Sequence, residues 1–265
     1  MLGGLIRALG RAANNLFAEA GAMSRLALDS SRRLVLNPFG RGKVRSRETL
    51  EQLARAGNGS LPLVSLICLL VGMIMALQSA YQLRRFEAVD LVASLVAVSM
   101  SRELAPLLTA IIVAGRFGSA IAAELGTMRV SSEIDALEAM GIDPTSYLVV
   151  PRLVGLSVAM PCLTVFADAV GILGGMLVGV GALGLGSGRY LEDTVDALVL
   201  EDVLTGLVKS LAFACIIGLV GCREGLATRG GAEQVGRATT RAVVRSIVLV
   251  ICADLIVTAW FYVRG

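Results

Sequence analysis

Histidine is absent from the 265 residues, charged residues make up only 17%, and aromatic residues 5%. Without histidine the chain lacks the commonest metal ligand and the side chain that titrates near neutral pH. Soluble domains carry roughly a quarter of their residues as Asp, Glu, Lys and Arg, so the low charge excludes an ordinary water-soluble surface. The five cysteines, Cys68, Cys162, Cys215, Cys222 and Cys252, all lie in apolar runs with no CxxC pair. They read as small hydrophobes, and no metal site or disulfide is expected. A phosphate cradle is missing too. The only GK pair, Gly42 and Lys43, precedes Val44 and lacks the GxxxxGK[ST] spacing, so the chain is expected to bind no ATP and no cofactor of its own. No motif brings a nucleophile, a base and an orienting group together, which argues against an enzyme. Met1 to Ala22 is interrupted by Arg7, Arg11, Asn14, Asn15 and Glu19, unlike the continuous apolar core of a signal peptide.

What the chain has in abundance is Leu, Val, Ile, Ala and Gly: 55% hydrophobic residues, 30 glycines and a mean hydropathy of +0.76. That composition predicts an all-α polytopic membrane protein with closely packed helices. Five apolar segments, about 61–77, 104–123, 148–185, 203–222 and 242–263, approach or exceed the roughly 20 residues that cross about 30 Å of hydrocarbon. The first opens at Pro62, a residue suited to a helix's first turn. The third is long enough to require tilt or a kink. Within it, Gly175 and Gly179 form a GxxxG pair, a weak packing signal. Leu91 to Ser101 is too short to cross and is expected as a re-entrant or interfacial helix.

Residues 1–58 read as a separate interfacial segment ahead of a transmembrane domain at 59–265. Leu5, Leu9, Leu16, Met23 and Leu26 recur at helical spacing among arginines, as in an amphipathic helix lying in the membrane surface. Arg32, Arg33, Arg41, Lys43, Arg45, Arg47 and Arg55 follow. Together with Arg223, Arg229, Arg237 and Arg241, and against an acidic 186–202 loop with only Arg189 beside Glu192, Asp193, Asp196, Glu201 and Asp202, they place the N-terminus inside, and five crossings then place the C-terminus outside. The net charge of +3 thus reports orientation and implies no nucleic-acid partner. Arg84 and Arg85, on the outer side in this scheme, run against it.

Between the second and third spans lies a short polar helix. Ser131 or Ser132 can cap it, Glu133 and Asp135 put negative charge in its first turn, and Gly141 and Pro144 stop it. Val130, Ile134, Leu137 and Met140 share one face, with Asp135 and Glu138 beside it. Two turns are not stable alone in water, so this face either lies back on its own bundle or docks into the groove of a cytoplasmic partner.

The stretch RELAPLLTAIIVAGRFGSAIAAELGTMRVSSEIDALEAMGIDP, residues 102–144, resembles the signature region of the MlaE/YrbE permeases, membrane subunits of MCE-type ABC transporters that move lipids in bacteria. The resemblance extends over about residues 50–263. It implies a homodimer in the bacterial inner membrane, each copy held by a cytoplasmic ABC ATPase, with ATP and magnesium in that partner. The grip would fall on residues 131–141, carried by Glu133, Ile134, Asp135, Leu137, Glu138 and Met140. It further implies a periplasmic MCE-domain protein and a small STAS-domain protein on the ATPase.

Charged groups within hydrocarbon are costly and are functional candidates by default. At 1.5 Å per residue, Arg102, Glu103, Lys209 and Asp254 fall in the outer half of the bilayer. They are expected to surround a lipid headgroup, with Leu70, Ile74, Leu77, Gln78 and Tyr81 of the first span lining the remainder of the phospholipid cavity. A structural ion cluster is the alternative. Arg116 and Glu124 lie deeper and are expected to be structural, with Asp168 or Asp254 as possible partners of Arg116. Two rival functions are an ion-coupled secondary transporter and a membrane anchor for a cytoplasmic complex; no inverted repeat or pair of broken half-helices supports the first.

Overall fold

The structure, a computed structural model, describes residues 46–264 together with Gly21 and Leu28. The amphipathic helix expected from Leu5 to Leu26 and the basic stretch before Arg47 lie outside the described residues. Among those described there is no strand, and five helices are long and apolar enough to cross a membrane.

The first is α1 (Ser46–Leu83), which begins well before the apolar run and carries Pro62 inside it instead of at its first turn. Polar residues from Ser46 to Ser60 continue the helix because nothing stops it: Gly57 and Gly59 weaken it, and Pro62 removes one hydrogen bond, but neither outweighs the packing on its neighbours. Short 3-10 turns at Arg84–Phe86 and Val89–Leu91 reverse the chain.

The second span runs from Val89 to Val130. It consists of α2 (Val92–Ser99), a π-helical turn (Met100–Leu104), α3 (Ala105–Val113), a second π-helical turn (Ala114–Gly118) and α4 (Ser119–Val130). The short helix expected at Leu91 to Ser101 is therefore present but is not separate: it continues through the π turn into the crossing. Burial explains the difference. Val92, Ala93, Val96 and Ala97 are fully covered by protein, which ties this stretch into the bundle, while Leu91 and Leu95 stay exposed on its other face.

A two-residue turn leads to α5 (Glu133–Ala139), and a third π turn (Thr145–Val149) opens α6 (Val150–Gly181), which contains Pro161. Then follow α7 (Ser187–Ala197), α8 (Leu200–Leu226) and α9 (Ala232–Arg264). Residues 186–202, expected as an acidic loop, instead hold α7, a well-formed helix. Its Tyr190 is fully buried against α2 and α6, Arg189 pairs with Asp90 at 2.9 Å, and Ser94 donates to the Asp193 carbonyl.

α1 packs along α6, and α8 lies against α4, α6 and α9. The α1–α6 crossing is too tight for any side chain. A Cβ on Gly72 would lie 1.9 Å from the Gly171 carbonyl oxygen, and one on Gly174 would lie 2.2 Å from that of Leu69. Gly175 and Gly179, the GxxxG pair, serve a different contact: they make room for the Tyr190 ring, with Val96 beside Gly175.

The bundle has two distinct ends. At one, Ile134 of α5 joins Leu125, Leu148, Val149 and Cys222 in a core cluster. At the other, α7 folds over α2 and α6. The most apolar stretches of the first and fifth spans are only 28% and 17% buried, against 44–50% for the other three, so these two helices carry the open apolar flanks.

Candidate functional site

The first π turn holds Arg102 and Glu103. A π turn widens the helix by one residue and redirects the side chains on it, and such turns are frequent at functional sites. Here the two residues diverge. Arg102 Nε reaches Asp202 Oδ1 at 3.3 Å, while Glu103 turns to Lys209 and Thr258.

Lys209 is the hub. Its side chain is only 1% exposed, inside α8, where a lone ammonium would be strongly disfavoured. Its Nζ is paired with Glu103 Oε2 and with Asp254 Oδ1, the latter at 2.9 Å, and it donates to Thr258 Oγ1 at 2.7 Å. Thr258 in turn donates to Glu103 Oε1 at 2.9 Å. The network ties the second, fourth and fifth spans together. It also opens outward: the Glu103 and Arg102 side chains are 38% and 49% exposed, whereas Asp254 is 14% exposed.

Of the four charged residues singled out from the sequence, Glu103, Lys209 and Asp254 are thus assembled in one network, and Arg102 stands beside it in a separate pair with Asp202. Two partners were missed. Asp202 was read as one of several loop acids, yet one of its oxygens receives Arg102 and the other accepts the Val199 backbone N–H at 3.3 Å, capping α8. Thr258 carried a readable signal, since it lies one turn from Asp254 and shares its face.

The first-span residues occupy a different part of the molecule. Leu70, Ile74, Leu77 and Tyr81 form an exposed stripe on α1, and Leu77, Gln78, Tyr81 and Gln82 line a groove of about 360 Å³. Arg85 stacks over the Tyr81 ring at 5.6 Å. α1 packs on α6, α2 and α3, whereas the ion network lies among the second, fourth and fifth spans. Within one chain, the apolar stripe and the charge network are therefore built on different helices.

Arg116 meets neither Asp168 nor Asp254. Asp254 belongs to Lys209, and Arg116 lies against Gly59 of α1. Glu124 instead pairs with Arg152 at 2.9 Å and more loosely with Arg55 at 3.9 Å. Arg152, 6% exposed, was overlooked although a lone arginine in an apolar run is itself a signal.

At the opposite end from α7, α5 is held in place from both sides. Ser132 adopts a left-handed conformation (φ +59°) with no side-chain cap; Ser131 Oγ donates to Glu133 Oε1 at 2.8 Å instead. Arg129 grips Asp135 at 2.6 Å. Gly141, at φ +73°, ends the helix as expected, with the Gly141 and Ile142 N–H groups donating to Glu138 and Leu137 carbonyls. The apolar face is divided between the chain's own core and the surface. Ile134 is 2% exposed and Leu137 partly buried, both packed on the chain's own core. Met140, 65% exposed, and Val130, 38% exposed, with Glu133, Glu138 and the partly engaged Asp135, form the surface that remains.

Comparison with known proteins agrees with this architecture. A probable ABC transporter permease of Rickettsia typhi is 43% identical over 209 residues, covering 79% of this chain and 81% of that protein. One from Synechocystis is 38% identical over 224 residues, 84% of this chain and 85% of that one. The chloroplast protein trigalactosyldiacylglycerol 1 of Arabidopsis thaliana is 38% identical over 222 residues, 84% of this chain and 63% of its own length. The family model described as Permease MlaE matches residues 49–260, which take in all five spans, the Lys209 network and α5, and the chain belongs to that family.

Proposed function

We propose that this chain is the non-catalytic membrane subunit of an ABC transporter that moves phospholipid or a related lipid between the bacterial inner membrane and a periplasmic MCE-domain protein, maintaining outer-membrane lipid asymmetry. Two copies form the membrane core. A cytoplasmic ABC ATPase, with ATP and magnesium, supplies the work, and a STAS-domain protein accompanies it. The N-terminus is cytoplasmic and the C-terminus periplasmic, a reading supported by Arg223, Arg229, Arg237 and Arg241 at the junction of the fourth and fifth spans.

One observation carries the reading: a desolvated Lys209 whose counter-charges extend to half-exposed Glu103 and, beside it, Arg102. A charge network closed on itself only holds helices together. One with an open cationic and anionic edge in the outer half offers partners to a zwitterionic or anionic headgroup. Acyl chains need an apolar surface nearby, and the stripe Leu70, Ile74, Leu77 and Tyr81 supplies it. Since the stripe and the network are built on different helices, apposition of two copies is the arrangement that brings them to one cavity. The names of the relatives favour an ABC permease, and that of the Arabidopsis protein contains a diacylglycerol lipid.

The test is photocrosslinking from Leu77 or Tyr81 in the assembled complex, with mass-spectrometric identification of the product. Phospholipid adducts that disappear on ATP turnover are expected. Labelling only from bilayer-facing control positions, or solute transport by the lone chain on an ion gradient, overturns the reading.

A further inference from the structure

A second cavity, of about 520 Å³, lies nearer the α5 end. Its walls are Gln52, Arg55, Asn58 and Gly59 of α1, and Arg116, Ala120 and Glu124 of the second span; Phe117 and Ile121 form an apolar floor. Arg116 lies on the second π turn, one residue before Phe117, just as Arg102 lies on the first. Fourteen residues separate the two arginines along nearly continuous helix, roughly 21 Å at 1.5 Å per residue. With Arg102 in the outer half of a core about 30 Å thick, Arg116 falls on the side of the inner leaflet.

The cavity's charge is not balanced from within. Glu124 is its one carboxylate, and that group is occupied by buried Arg152 at 2.9 Å and reached by Arg55 at 3.9 Å. Among the described residues no carboxylate stands within ion-pair distance of Arg116. Its guanidinium rests on the α1 backbone, where a Cβ at Gly59 would lie 3.0 Å from its terminal nitrogen. Two guanidiniums, those of Arg55 and Arg116, thus line a cleft whose single carboxylate is already engaged by Arg152 from outside the cavity, above an apolar floor. Such an excess attracts an anion, and planar guanidinium groups bind phosphate oxygens in pairs.

We propose that this cavity is a second phosphate-recognition site, taking the headgroup phosphate of a cytoplasmic-leaflet phospholipid between Arg116 and Arg55, with its acyl chains leaving over Phe117 and Ile121. It goes beyond the transport reading, because occupancy here is a binding property of the chain alone and needs no ATPase, MCE protein or turnover.

The experiment uses the purified full-length chain with Ala120→p-benzoylphenylalanine, whose position lines the cavity. It is incubated with phosphatidylglycerol, with diacylglycerol of the same chains, or with phosphatidylglycerol plus excess inorganic phosphate. Expected are phosphatidylglycerol adducts at least tenfold over diacylglycerol, little competition by inorganic phosphate, and an about tenfold loss in Arg116→Gln, the scale of one charge-assisted contact. Arg116→Lys should keep part of the yield. Gly59→Leu, which pushes the guanidinium out of its seat, should lower it without removing the charge. Equal labelling by diacylglycerol, or undiminished labelling in well-folded Arg116→Gln, overturns the proposal. Full competition by inorganic phosphate would make the site one for free phosphate and overturn the lipid assignment. Because lipid transfer is not the readout, a failed transport assay leaves this result standing, and the converse holds.

Discussion

Lys209 of α8 donates a 2.7 Å hydrogen bond to Thr258 of α9, and Thr258 passes a hydrogen bond of 2.9 Å to Glu103 on the second span. The hydroxyl therefore links cation to anion across three helices and holds Glu103 where its carboxylate also meets the ammonium. Removing the cation alone leaves Asp254 buried with no counter-charge. Lys209→Met is expected to destabilise the protein by about 3 kcal/mol, the scale for breaking a buried pair. Lys209→Met combined with Asp254→Leu should recover most of that stability and still fail to move lipid. Thermal unfolding in detergent, measured beside lipid transfer by the reconstituted complex, separates the two effects. Full transport by the stable double variant would make the network merely structural.

The α1–α6 crossing depends on backbone touching backbone. Gly174→Ala puts a methyl carbon 2.2 Å from the Leu69 carbonyl oxygen, and neither rigid helix has a flexible side chain there to yield. A cost of about 3 kcal/mol or more is expected, at the upper end for overpacked cores. Gly181→Ala is the control: it meets nothing within 4 Å at the end of the same helix and should be neutral or stabilising. Unfolding midpoints of the two variants, measured side by side, check the contrast.

Tyr190 is the large buried anchor of α7, and its hydroxyl has no hydrogen-bond partner among the described residues. Deleting a buried, unsatisfied hydroxyl removes a desolvation cost and no bond, so Tyr190→Phe should change stability by less than about 1 kcal/mol. Tyr190→Ala, which empties the space made by Gly175 and Gly179, should cost about 3–5 kcal/mol. Burial also pushes the phenol's pKa up to about 12 from 10.0. The unfolded chain therefore ionises first. Stability associated with this group is complete below pH 10 and falls between pH 10 and 12. Tyr190→Phe should lose less stability than the native protein over that window.

Much of the fold and the charge network was legible because the bilayer allows few alternatives. Five apolar runs had to become helices, and ionisable groups within them had to find counter-charges, as Glu103, Lys209 and Asp254 do in one another. The remainder depended on register that composition does not encode. Arg116 and Arg152 both lie in apolar runs, yet which of them takes Glu124 depends on a π turn that rotates Arg116 toward α1. The GxxxG pair drew attention to Gly175 and Gly179, but the true helix crossing falls at Gly171 and Gly174, facing Gly72 on a different span. Helix α7 was hidden because its acids suggested a loop, while one buried tyrosine determines its seat.

The face of α5 exposes a distinction that hydrophobic periodicity alone misses. Ile134 and Met140 share a stripe on the helical wheel, yet Ile134 is 2% exposed and Met140 65%. Their acidic variants should therefore fail in different ways. Ile134→Asp places a carboxylate among Leu125 and Leu148 with no cation at hand, so loss of folded protein is expected, by about 3 kcal/mol or more. Met140→Asp alters only surface and should leave the unfolding midpoint within about 0.5 kcal/mol of the native protein. If a cytoplasmic ATPase grips this end, Met140 is the most exposed apolar anchor left for it, flanked by Glu133 and Glu138 to meet basic residues. Met140→Asp should then weaken ATPase association by about tenfold and abolish lipid-stimulated ATP hydrolysis while the permease remains folded. Co-purification of the ATPase with each variant, alongside thermal unfolding of the permease, is the measurement. Undiminished co-purification with Met140→Asp would remove this surface from the contact and shift the search to the arginine-rich end of α9.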